Sequence, residues 1–269
     1  MQTKRSPVDN AIRGVLFDLG GTLMTFTGDW EEVQQRGAAQ MAAFFRQRRI
    51  LVDEAQLVHT FLAERQAGFE RAAATQREVL GTECLRIALE RLAAPPAAFE
   101  LIPEAMRIYF APEEAAWQAF PDAKDTLRQL AAIRSADGRP AYRMGAFSNA
   151  TDDAIIQRLV NRLELRPWLS PVWTSAALGL RKPRREVFEA LLTRWKLPPE
   201  SVVMVGDRLE IDILGAQQVG MCTVLITTDK VPSNQLYRDV IVPDATIQRI
   251  GELPGLLEVW SEGNLQTIK

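Results

Sequence analysis

Four polar residues, Asp18, Ser148, Lys182 and Asp207, stand at or just beyond the ends of short apolar runs. Each type has a physical task it can perform. A carboxylate can attack phosphorus and form a covalent intermediate. A hydroxyl and an amide, as in Ser148-Asn149, can hold phosphoryl oxygens, and a lysine beside a helix N-terminus neutralises an anion with help from free backbone N–H groups. Carboxylates gathered in one place, such as Asp18, Asp207 and Asp212, repel one another and an anionic ligand unless a divalent cation joins them. Oxygen-only ligands suit Mg²⁺.

The elements that must position these residues follow from the hydrophobic pattern. Residues 12–18 (IRGVLFD) form an apolar run that stops at the turn-like LGGT, the mark of a buried strand. From Trp30 to Tyr109 apolar residues recur at helical spacing, with Asp53 and Thr82 as expected N-caps and no strand between them. After Pro121, helices and strands alternate. Strands are expected at YRMGAFS, PVWTS, SVVMVGD, MCTVLIT and DVIVPD, with helices between them and a closing helix from IQRIGELPGLLEVW. This alternation predicts an α/β fold with a doubly wound, Rossmann-like parallel sheet, whose ligands bind outside the carboxyl ends of the strands. The predicted organisation is a core of residues 1–24 and 119–269, interrupted by an all-helical block over 25–118.

Composition bounds the partners. The 269 residues carry a formal net charge of -2, so no basic surplus marks a nucleic-acid partner. No apolar run reaches the roughly 20 residues needed to span a bilayer, and MQTKRSPVDN at the N-terminus lacks the apolar stretch of a secretory signal. Two cysteines, Cys84 and Cys222, are too few for a disulfide framework. A cytoplasmic protein is expected; its oligomeric state is not readable.

The order FDLGGTL, FSN, RKP and VGDRLEID resembles the haloacid dehalogenase superfamily of hydrolases. The resemblance implies Asp18 as nucleophile, Thr22, Ser148 and Asn149 as substrate-positioning groups, and Lys182 as holder of both nucleophile and phosphate. It implies Asp207 as metal ligand, with Asp212 as a further metal-shell or lysine-orienting acid. It also makes the helical block a cap closing over the site. The activity implied is a Mg²⁺-dependent phosphohydrolase that forms an aspartyl-phosphate on a small phosphorylated metabolite.

One position departs from the pattern. Phosphatases of the superfamily carry a second aspartate, as general acid and base, two residues after the nucleophile; here that residue is Gly20. Its carbonyl can still reach a metal, but a proton-transfer step typically worth about 10²–10⁴-fold is lost unless another group supplies it. Slow turnover or selectivity for good leaving groups is one consequence. A non-catalytic homologue that binds a phospho-ligand or protein is an alternative. A 2-haloacid dehalogenase is another, although that branch uses no metal, and the GDRLEID segment argues for a cation. A phosphonate-cleaving relative needs a cap lysine, and residues 25–119 contain none. Asp29 and the single histidine, His59, are the alternative acids considered, with N-cap and surface roles respectively as the competing expectations. Phe44, Phe45, Phe61 and Phe69 are expected in the helical core, Cys222 in a buried strand, and Arg181, Arg184 and Arg185 on solvated surface.

Overall fold

The computed structural model describes residues 11–227 and 231–266; the N-terminal decapeptide considered above lies outside them. Six strands form one parallel sheet. In chain order they are β1 (Gly14–Phe17), β4 (Arg143–Ser148), β5 (Val172–Thr174), β6 (Val202–Gly206), β7 (Cys222–Ile226) and β8 (Ala245–Ile247). Their order across the sheet is β5-β4-β1-β6-β7-β8. All four residues of β1 are buried, as are all five of β6, as expected of strands covered on both faces. Alternate β1 side chains serve opposite layers. Val15 and Phe17 join the larger core, whereas Leu16 packs with Val187, Phe188 and Leu191 of α9 (Arg185–Trp195).

Because β4 and β6 flank β1 on opposite sides, the chain reverses its winding direction at β1. The carboxyl end of such a strand opens into a crevice that adjoining loops cannot fill. Asp18 emerges there, Ser148 closes β4, and Asp207 follows β6. Asp18 is kept in register by its N–H, which donates to the Val205 carbonyl at 2.9 Å.

Between β1 and β4 lies a two-stranded antiparallel ribbon, β2 (Met24–Phe26) with β3 (Trp117–Ala119), which periodicity does not predict. It frames five helices: α1 (Trp30–Gln47), α2 (Glu54–Thr75), α3 (Gly81–Arg91), α4 (Pro96–Glu100) and α5 (Ile102–Ala116). Asp29 and Asp53 cap α1 and α2 by accepting from Glu32 N and Gln56 N, each at 2.8 Å. Thr82 is not a cap: α3 already begins at Gly81 and has no side-chain cap. The helices pack around Met41, Phe45, Leu57, Phe61 and Tyr109.

The remaining helices are α6 (Ala123–Ala132), α7 (Asp153–Arg162), α8 (Ser175–Leu178), α10 (Leu214–Gln218), α11 (Asn234–Tyr237) and α12 (Leu253–Gln266). A single wide turn of π-helix, Leu209–Ile213, precedes α10. The last strand differs from expectation. DVIVPD is not extended into the sheet; β8 begins after it, at Ala245. Val240 and Val242 are exposed, and only Ile241 of that run is buried. Asp244 instead accepts from both the N–H and the hydroxyl of Thr223, at 2.8 Å each, which fixes where β8 starts beside β7. Among the described residues no helix is long and apolar enough to cross a membrane.

Candidate active site

The sharp loop after β1 is built by Gly21 at φ +82°, where a Cβ would lie 2.1 Å from Asp207 Oδ2. Only glycine allows that backbone and that approach together. Gly206 plays the matching part at the end of β6, since a Cβ there would stand 2.4 Å from Asp212 Oδ2. The two glycines let Asp18, Asp207 and Asp212 each bring a carboxylate oxygen within 4.8 Å of the other two.

Lys182 lies between two of them, Asp18 and Asp212, and is 2% exposed. Its Nζ is 2.6 Å from Asp18 Oδ1 and 2.7 Å from Asp212 Oδ1, and it donates to the Phe147 carbonyl at 3.0 Å. Burial alone would lower the lysine's pKa; the two carboxylates outweigh it and hold the ammonium charged above its ordinary value. Asp212 spends its second oxygen on the Arg208 N–H at 3.1 Å. Of the two roles open to Asp212, this geometry favours orienting the lysine.

One ammonium does not balance three buried carboxylates. Burial pushes Asp18 up to about 6 despite Lys182. Burial, reinforced by Asp18 and Asp212, pushes Asp207 up to about 8. The excess negative charge and the all-oxygen donor set fit a hard divalent cation.

Asn149 lines the same cavity and has a further set of contacts that the sequence does not predict. Its Nδ2 donates to the Lys182 carbonyl at 3.0 Å and its Oδ1 accepts from the Lys182 N–H at 2.9 Å. Asn149 thus clamps the lysine's backbone while also lining the cavity. Thr22 is 1% exposed and lies outside the cavity wall, its hydroxyl without a hydrogen-bond partner among the described residues.

Asp18, Gly20, Ser148, Lys182, Asp207 and Asp212 line one cavity of about 240 Å³. The helical block completes it with Trp30, Arg65, Phe69, Phe110 and Glu113, and the ribbon adds Trp117. Phe69 therefore belongs to the cavity and not to the helical core. Arg181, expected in solvent, also lines it, 3.5 Å from Glu78. Neither alternative acid reaches the cavity: Asp29 is an exposed cap, and His59 is exposed on α2. Sequence reasoning also missed Asn234, which donates to the Asp207 carbonyl at 2.7 Å and accepts from Leu209 N at 2.8 Å, pinning the loop after β6. A lone Asn far along the chain gives no spacing signal. Arg65 did give one, as a charge within the apolar stripe Leu57, Phe61, Gly68 and Ala72 of α2.

Comparison with known proteins identifies the family and the fold. Glyceraldehyde 3-phosphate phosphatase of Methanopyrus kandleri is 32% identical over 165 residues, spanning 61% of this chain and 67% of that protein. The enzyme of the same name from Pyrococcus furiosus is 32% identical over 148 residues, spanning 54% of this chain and 55% of that protein. A 2-haloacid dehalogenase from Pseudomonas syringae pv. Tomato DC3000 superposes with a TM-score of 0.66 at 24% identity, over 93% of this chain and 99% of that one, a likeness of fold. The haloacid dehalogenase-like hydrolase family model matches residues 12–220. The chain belongs to the haloacid dehalogenase-like hydrolases.

Proposed function

We propose that the protein is a metal-dependent phosphohydrolase acting on a small phosphorylated metabolite through an aspartyl-phosphate at Asp18. The observation that carries the reading is the charge arrangement: a buried ammonium ties Asp18 to Asp212, and Asp207 beside them keeps an uncompensated carboxyl. The phosphatase names of the two curated relatives support the same class, although the match spans only about half of the Pyrococcus enzyme.

Lys182 holds Asp18 Oδ1, so Oδ2 is the oxygen that forms the bond to phosphorus as the ester oxygen departs with the bonding electron pair. Ser148 at the end of β4 and the Lys182 ammonium would hold the phosphoryl oxygens. Asp18, Asp207 and the Gly20 carbonyl would hold Mg²⁺, which when bound neutralises the carboxylates and the developing phosphoryl charge. The departing oxygen takes its proton from water. Water then cleaves the acyl phosphate, releasing inorganic phosphate and restoring Asp18. The five helices over 25–118 act in this reading as the cap that excludes bulk solvent and selects the substrate.

The test is hydrolysis of p-nitrophenyl phosphate and acetyl phosphate with and without Mg²⁺, comparing wild type with Asp18→Asn. Turnover should require both Asp18 and Mg²⁺. Phospho-ligand binding without turnover would establish the non-catalytic alternative, and metal-independent halide release from a 2-haloacid would establish dehalogenation.

A further inference from the structure

Arg65 is 3% exposed, yet it lines the same cavity as Asp18 and Lys182. Its Nη1 donates to Thr151 Oγ1 at 2.6 Å, three residues beyond Ser148. Its Cζ lies 4.8 Å from the Phe69 ring centre and 5.4 Å from those of Tyr109 and Phe110. Aromatic faces repay part of the cost of burying a cation, but they do not neutralise it. Among the described residues no carboxylate forms an ion pair with Arg65, and its buried Nε has no hydrogen-bond partner. The neighbouring Glu64 is committed elsewhere, to Arg91 at 2.5 Å. Glu113, the cavity acid that feels Arg65, has its carboxyl pushed up by burial more than the guanidinium lowers it. The cavity wall therefore holds a buried guanidinium that no carboxylate pairs with directly among the described residues, with Glu113 of the same wall acting on it through space.

We infer that Arg65 binds a second anionic group of the substrate, a carboxylate or a further phosphoryl group, in the cavity it shares with Asp18. The inference rests on the phosphohydrolase reading and narrows its substrate class. A planar guanidinium fixed by Thr151 and stacked on rings is preorganised for bidentate contact with either oxyanion. The cavity, at about 240 Å³, lies below the roughly 300 Å³ at which drug-sized ligand sites begin. It suits a short carbon skeleton and not a nucleotide.

The experiment measures kcat/KM with Mg²⁺ for two matched pairs. Phosphoglycolate against 2-hydroxyethyl phosphate tests a carboxylate; the bisphosphate against the monophosphate of 1,3-propanediol tests a second phosphoryl group. Wild type should favour the doubly anionic member of one pair by about 10- to 100-fold, the range of a charge-assisted hydrogen bond, and that pair identifies the anion. Arg65→Met should bring this ratio close to one, and Arg65→Lys should retain part of it. A ratio is insensitive to how much of a variant is folded. If Arg65→Met yields no active protein, Thr151→Val must lower the ratio by releasing the guanidinium. Wild-type ratios near one in both pairs, or an undiminished ratio in the variants, overturn the inference. If wild type fails to hydrolyse p-nitrophenyl phosphate, the phosphohydrolase reading fails instead, and the same pairs are compared by calorimetric Kd.

Discussion

The indole of Trp117 stands over Gly20: a Cβ on Gly20 would lie 3.0 Å from Trp117 Cη2. Trp117 is held in turn by the ring of Phe26, 5.3 Å away edge to face, and Phe26 by Trp30 at 4.8 Å. The position where related phosphatases carry their second aspartate is thus both a glycine and roofed by an aromatic stack. The roof is held in place because the strand that carries Trp117 pairs directly with the strand that follows the Gly20 loop.

Gly20→Asp alone should therefore recover only part of the lost acid catalysis, since its Cβ requires the indole to yield by a few tenths of an ångström. In Gly20→Asp combined with Trp117→Val, alkyl phosphates should gain a larger share of the about 10²–10⁴-fold that general acid catalysis supplies. Aryl and acyl phosphates, which leave well unprotonated, should gain much less. The alkyl-to-aryl ratio of kcat/KM across the four proteins checks this; an equal gain for Gly20→Asp with and without the tryptophan contradicts the steric account.

Lys182→Met should be among the most destabilising substitutions in the chain. It removes the one ammonium that, among the described residues, contacts two buried carboxylates, a loss of about 3–5 kcal/mol by analogy with broken buried ion pairs. Mg²⁺ should return part of it. Denaturant unfolding with EDTA and with Mg²⁺ measures both quantities; a loss confined to activity would mean that the carboxylates are already neutral.

Much of this site is legible in the sequence because its residues stop apolar runs. Asp18 and Asp207 directly follow buried strands and Ser148 ends one, and parallel strands in one sheet carry such ends to a common edge. The ribbon is not legible, since three residues per strand leave no period to read. DVIVPD misleads for the opposite reason: it alternates like a strand, but Asp244 pairs with Thr223 and shifts the sheet contact beyond it. Phe69 and Phe61 look alike along the chain, and only the rotation of α2 against the loop after β4 assigns one to the cavity and the other to the core. The Trp117–Gly20 contact joins residues nearly 100 positions apart, and no local rule contains it.

Asn149→Ala should lower kcat more than it raises KM for p-nitrophenyl phosphate. Its two hydrogen bonds hold the Lys182 backbone and, through it, the ammonium on Asp18. Two such bonds are worth roughly 1–3 kcal/mol together, so a modest fall in stability should accompany the loss. Asn149→Asp keeps the acceptor but not the donor and should fall between. A variant with raised KM and unchanged kcat would return Asn149 to direct substrate contact.

Asp207 makes the metal-free protein pH-sensitive in a calculable direction. Its carboxyl moves from a usual 3.8 to about 8 on folding, so between those values the native state holds a proton that the unfolded chain has released. The contribution of this group to stability is complete below pH 4 and is lost as pH rises towards 8. Asp207→Asn cannot ionise, so in EDTA its Tm should rise relative to wild type as pH goes from 5 to 8, with the gap closing at acid pH. Mg²⁺ must displace the same proton, and its stabilisation of wild type should therefore grow over that interval and be weak in Asp207→Asn. Thermal unfolding of both proteins at several pH values, with EDTA and with Mg²⁺, measures the two slopes. A gap that stays constant with pH would mean that Asp207 is already ionised without the cation.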